Sequence, residues 1–132
     1  MKSLAFACLL SLFPALVRAE ESLGVYELRT YTTHPGRLPA LNQRFKDHTL
    51  KLFEKHGMKN VMYWTPTDAE HADNTLIYVL YHESPEAAKA SWAKFIGDPE
   101  WKAAKEASEK DGPIVLKFES VYMKKTAYSP LK

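Results

Sequence analysis

The stretch TLIYVLYH, residues 75–82, constrains the fold more than any other part of the chain. It is rich in β-branched and aromatic residues and is bounded by turn formers, which makes it a strand. Side chains of a strand alternate between two faces, so Leu76, Tyr78 and Leu80 point one way and Ile77, Val79 and Tyr81 the other. Both sets are apolar. A sheet with one wet face would alternate apolar with polar residues. This strand therefore belongs in a sheet that is covered on both sides.

The rest of the chain says what covers one side. VYELRTYTT, residues 25–33, reads as a first strand closed by His34-Pro35-Gly36. Leu38, Leu41, Phe45, Thr49, Leu52 and His56 then recur at three- and four-residue steps, which predicts an amphipathic helix capped by Gly57. Residues 58–67 form a second strand, and the polar run 68–74 links it to the third. Ser84-Pro85-Glu86 opens a second helix, with Ala88, Trp92, Phe95 and Ile96 on its apolar face. Gly97 stops it, and Asp98-Pro99-Glu100 opens another by the same capping logic. Residues 114–125 form a last strand. The order β-α-β-β-α-(α)-β predicts an α+β, ferredoxin-like antiparallel sheet with helices on one face.

No element is left to cover the other face. A second copy of the chain, packed sheet against sheet, would cover it and close a barrel between subunits. The homodimer is therefore the expected partner. A monomer would expose an apolar patch of a size that is uncommon on soluble proteins.

The N-terminus is expected to be absent from the working protein. Lys2 precedes an apolar run from Leu4 to Val17, and Val17-Arg18-Ala19 sets small residues at the −3 and −1 positions of a cleavage site. This is the pattern of a secretory signal peptide over residues 1–19, which leaves 20–132 as one exported domain, periplasmic or secreted. The run is too short to span a bilayer, which takes about 20 residues. The chain's single cysteine, Cys8, leaves with it, so the mature chain has no disulfide, thiol nucleophile or thiolate metal site. The charge balance also changes. Of 18 Lys+Arg against 16 Asp+Glu, Lys2 and Arg18 are lost, and the mature chain is evenly balanced. That offers nothing to a nucleic acid or an anionic membrane surface.

VYELRTYTTHPG, FKDHTLKLFEKHGM, VMYW, NTLIYVLYHES, ASWAKFIGDPEW and the closing TAYSPL, in this order, resemble the NIPSNAP family over nearly all of the mature chain. The resemblance implies a dimeric α/β barrel, the superfold of the antibiotic biosynthesis monooxygenases. The family's eukaryotic members are linked to mitochondria and vesicular traffic. This chain differs from them in being one short domain behind an export signal.

Chemistry is less legible. The histidines, His34, His48, His56, His71 and His82, show no HxH, HxxxH or HExxH spacing, so no metal site is expected. There is no glycine-rich phosphate loop and no GxSxG elbow, and no cofactor is expected. His48, at the edge of the first helix's stripe, is expected to be half-buried and is the first candidate for an acid or base. Its ordinary alternative is a core-edge histidine bonded to a neighbour. Arg29 and Tyr63 complete the catalytic candidates. Glu27, Arg29 and Tyr31 share one face of the first strand. Facing a barrel lumen, the two charges would pair with each other or with Lys117 and Glu119. They would bind a ligand, or they would fix the dimer as a salt-bridge network.

Trp92 is the fourth ligand-binding candidate. It belongs to SWAKFIGDPEW, residues 91–101, which holds two of the three tryptophans. That segment is expected to lie mainly as core over the sheet. Tyr63, Trp64, Tyr78 and Tyr81 suit a flat organic ligand as well as they suit a core. Two functions stay open. One is a binding protein for a small hydrophobic or aromatic molecule or a protein partner. The other is a cofactor-independent enzyme of the monooxygenase type acting on a phenolic or quinone-like substrate. A solvent-reachable cavity in which His48 or Arg29 meets an aromatic wall would favour the enzyme.

Overall fold

The computed structural model describes residues 24–130. The expected signal peptide, residues 1–19, lies outside the described residues. Four strands, β1 (Val25–Thr33), β2 (Lys59–Trp64), β3 (Thr75–His82) and β4 (Val115–Met123), form one antiparallel sheet in the order β2-β3-β1-β4. The helices are α1 (Leu38–Arg44), α2 (Leu50–Lys55), α3 (Pro85–Gly97) and α4 (Pro99–Ser108). This is the expected ferredoxin-like α+β architecture. Among the described residues no helix is long and apolar enough to cross a membrane.

The caps are those written in the sequence. Ser84 Oγ accepts the amide of Ala87 at the start of α3, and Asp98 Oδ1 accepts that of Glu100 at the start of α4. Gly57, at φ 79°, turns the chain out of α2. The amide of Met58 reaches the carbonyl of Phe53, and that of Gly57 reaches Glu54, which closes a Schellman cap. Met58 is thereby pressed into the core.

One helix was expected from Leu38 to His56, and the structure breaks it. Phe45–Thr49 forms a π-helical segment between α1 and α2. The Thr49 hydroxyl donates to the carbonyl of Arg44, and the Leu50 amide donates to the carbonyl of Phe45. The wider turn keeps Phe45 and Thr49 inward, next to Arg44 at the end of α1, all three buried. It leaves His48 exposed, which corrects the expected half-burial.

A second irregularity acts in the sheet. The register of β2 against β3 shifts between Asn60 and Met62, so Val61 is the extra residue of a bulge. Asn60 stands opposite Leu80 and Tyr63 opposite Tyr78, which puts both on the helix side although they are three residues apart. Pro66 has no amide to give the ladder, and the strand stops short of the expected residue 67.

The core lies between the helices and the sheet. Leu41, Phe45, Leu52 and Phe53 of the first helical run meet Leu76, Tyr78 and Leu80 of β3 and Phe95 of α3. The other face of the sheet carries Tyr26, Val79, Met62, Trp64, Val121 and Met123; among the described residues no helix or strand is packed over it, and residues 124–129 lie beside Tyr26, Val79 and Trp64 along a second cavity of about 350 Å³. Edge strand β4 is open on both faces: Leu116 and Phe118 are each 57% exposed, Val121 54% and Tyr122 50%.

Candidate functional site

The site is built from two neighbouring parts on the helix side of the sheet. The first is a buried polar hub. Glu27 sits in mid-β1, 1% exposed, a position that demands partners. It has four. Its Oε2 accepts from His82 Nε2 at 2.8 Å and from Trp92 Nε1 at 2.7 Å. Its Oε1 accepts from Arg29 Nη1 at 2.7 Å and from Ser120 Oγ at 2.8 Å. Burial alone would raise the carboxyl's pKa. The bonds from His82, Trp92, Ser120 and Arg29 overcome that and hold it at about 2. The Glu27–His82 contact also fixes the ring: Nε2 carries the proton toward the carboxylate, and Nδ1 is buried with no hydrogen-bond partner.

Arg29 completes the hub. Its guanidinium lies 4.1 Å from the ring centre of Trp92, 4.6 Å from that of Phe118 and 5.4 Å from that of Tyr31. Glu27, Arg29 and Tyr31 thus face the helices and not the outer face of the sheet, a correction to the expected lumen position. Ser120 pairs with Arg29 across β1 and β4, while Lys117 and Glu119 point to the opposite face. The expected pairing of Glu27 and Arg29 with those two residues does not form, because a strand's odd and even positions cannot share a side.

The second part is a cavity of about 260 Å³ between the π-helical segment, α4 and β4. Tyr31, Phe45, Phe53, Phe95, Trp101 and Phe118 supply its aromatic wall, and Arg44 its buried charge. Exposed Lys105 and Pro113 stand at its mouth. Phe95 and Trp101 lie 4.5 Å apart across the α3–α4 break, and Tyr31 meets Phe45 and Phe118 at 6.2 and 5.8 Å. Tyr31 and Phe118 are the shared wall: one side faces the cavity, the other touches Arg29.

The sequence-derived candidates divide accordingly. Tyr31 lines the cavity. Glu27, Arg29 and Trp92 form the hub behind it and do not line it. His48 is exposed on the π-helical segment and touches neither part. Tyr63 lies flat against Tyr78, centroids 5.3 Å apart, and its hydroxyl donates to Asn60. Burial pushes the Tyr63 hydroxyl well above its ordinary pKa, with Glu54 adding to the effect, which makes it a poor proton donor or base. The residues that sequence reasoning missed are His82, Ser120, Arg44 and the pocket role of Trp101. Two had a signal. Arg44 falls inside the stripe Leu38, Leu41, Phe45, and His82 continues the inward set Leu76, Tyr78, Leu80.

The hub assigns Trp92 a structural duty that can be measured. Trp92→Phe removes one donor to a charged acceptor, and stability is expected to fall by about 1.5–3 kcal/mol. Urea unfolding followed by far-UV circular dichroism would show it. An unchanged midpoint would mean that the Trp92–Glu27 bond carries no weight.

A ferredoxin-like sheet with a charged hub and an aromatic cavity beneath its helices defines an α+β domain with a small, partly open pocket at the helix–sheet boundary. Residues 26–130 match the NIPSNAP family. The chain belongs to that family. Among solved structures it is similar to a NIPSNAP family protein of unknown function from Agrobacterium tumefaciens, at 22% identity and a TM-score of 0.71, over 85% of this chain and 96% of that one. It is similar to an uncharacterized NIPSNAP-like domain protein from Burkholderia xenovorans, at 16% identity and a TM-score of 0.70, over 83% and 90%. It also shares its fold with SnoaB, a cofactor-independent oxygenase from Streptomyces nogalater, at 13% identity and a TM-score of 0.53, over 81% and 97%. No curated protein matches it.

Proposed function

We propose that the chain is an exported homodimer that binds a small, flat aromatic molecule in the cavity between its helices and its sheet. The observation that carries this reading is the cavity's wall. Six aromatic side chains from β1, the π-helical segment, α2, α3, α4 and β4 converge on one space. Its volume lies just below the roughly 300–1,000 Å³ of pockets for drug-sized ligands, which suits one or two fused rings. Export is supported by the leader pattern of residues 1–19. The second copy is supported by the apolar side chains that stay exposed on the outer face, Met62, Trp64 and Val121, and by β4, which has large apolar side chains exposed on both sides. Phe118 belongs to both features, so a partner seated along β4 would narrow the cavity mouth.

A cofactor-independent oxygenase is the alternative, and the fold shared with SnoaB favours it. The geometry supports binding better. Neither His48 nor Arg29 lines the cavity, and Arg29 is already committed to Glu27.

Fluorescence titration with 2-naphthol tests the binding reading. Trp101→Leu is expected to weaken binding by about tenfold, the scale of one lost aromatic contact. Trp92→Phe, behind the wall, is expected to leave binding unchanged. Equal affinity in the wild type and Trp101→Leu would remove the cavity from consideration.

A further inference from the structure

Three arginines are anchored near the helix–sheet boundary, and two have partners suited to them. Arg29 has Glu27 at 2.7 Å. Arg37 Nη2 donates to the carbonyls of Ser108 and Gly112 at 3.1 and 2.9 Å. Arg44 is different. Its side chain is 3% exposed, yet its Nη1 makes only long bonds, 3.2 Å to Ser108 Oγ and 3.3 Å to Glu109 Oε1. Charge-assisted bonds of this kind ordinarily close to about 2.7–2.9 Å. Its Nε is buried with no hydrogen-bond partner, as are those of Arg29 and Arg37, so the long Nη1 bonds are what set Arg44 apart.

The carboxylate nearest to Arg44 is also divided. Glu109 Oε2 lies 3.2 Å from Lys105 Nζ, so one carboxylate serves two cations. Arg44, Lys105 and Glu109 all line the cavity, which leaves it one positive charge in excess. The guanidinium stands 5.1 Å from the ring centre of Trp101, beside the aromatic wall. Burial lowers the pKa of Arg44 by more than Glu109 raises it, as expected of a cation short of counter-charge.

We propose that the cavity selects flat aromatic ligands carrying an anionic head, a carboxylate above all, with Arg44 as the residue that receives it. The planar fork of a guanidinium matches a carboxylate in two-point contact, and the ring next to that head would lie against Trp101. This rests on the reading of the cavity as the binding site, and it adds the charge of the ligand. It needs no movement of the Glu27 hub, whose charges are internally balanced.

The test compares 2-naphthoate with 2-naphthamide, which share ring and shape and differ in charge at pH 7. Calorimetric titration of the wild type is expected to show the acid binding at least about tenfold more tightly than the amide, as a desolvated charge pair would give. In Arg44→Met that advantage is expected to vanish, the acid binding no more tightly than the amide. Glu109→Gln, which frees Arg44 from its competing carboxylate, is expected to widen the advantage of the acid over the amide. The wild-type comparison needs no variant to fold. Equal binding of acid and amide to the wild type overturns the anion assignment and leaves the aromatic cavity standing. An acid advantage that survives in folded Arg44→Met overturns the assignment to Arg44. Binding of neither probe overturns both this inference and the reading beneath it.

Discussion

Glu27→Gln is expected to lower the unfolding free energy by about 3–5 kcal/mol at pH 7, the scale of breaking a buried ion pair from one side. The carboxamide keeps the shape of the side chain. It removes the negative charge from beneath the Arg29 guanidinium and replaces one acceptor oxygen by a donor. Whichever way the amide is turned, its nitrogen meets a donor-only group it cannot bond: Trp92 on one side, Arg29 on the other. Arg29→Met in the same background should recover part of the loss, because the stranded cation goes with it. Urea unfolding of the two single variants and the double variant closes the cycle. A loss below about 1 kcal/mol in Glu27→Gln would show that the hub is incidental to the fold.

The same carboxylate sets an acid limit. Its pKa in the folded chain is about 2, against an ordinary 4.5. A depressed carboxyl contributes stability that is fully present above its unfolded value and is lost as pH falls from there through the folded value. The wild type should therefore lose stability between about pH 4.5 and 2 with a steeper slope than Glu27→Gln, which has no proton to take up at this position.

Val121→Glu is expected to convert a dimer into a well-folded monomer. Val121 lies on the outer face of β4 and is half-exposed, so a carboxylate there costs the isolated fold little. Under a second sheet it would be a buried charge without a partner, and burying a charge unpaired costs several kcal/mol. Two-fold symmetry places one such charge on each copy. The dimer dissociation constant should rise by about two orders of magnitude or more, read by sedimentation velocity across a concentration series. The unfolding midpoint of the monomer should stay close to that of the parent monomer. A dissociation constant unchanged by Val121→Glu would place the interface elsewhere.

The elements and their order were legible because each rests on local chemistry. Ser84-Pro85 and Asp98-Pro99 announce α3 and α4, Gly57 ends α2, and the two-faced β3 announces the centre of a sheet. What escaped depended on small departures from period. The π-helical turn at Phe45–Thr49 moved His48 outward, and a strict helical stripe does not anticipate an extra residue in a turn. The bulge at Val61 turned Tyr63 to the helix side in the same way. Glu27 and Arg29 were recognised as a pair from their shared face. Which face it was could not be read locally, because β1 alternates Tyr, Leu and Thr with Glu, Arg and Tyr, and hydrophobicity alone favours the wrong side. The partners His82, Trp92 and Ser120 come from three other elements, up to 93 residues away in sequence. Such a hub exists only once the sheet register is set.

Native mass spectrometry of the protein taken gently from the exported fraction tests the central claim most directly. The account predicts two chains beginning at Glu20, carrying an added mass of small-molecule size that is lost in Trp101→Leu. A chain that remains monomeric and empty at every concentration tried would contradict it.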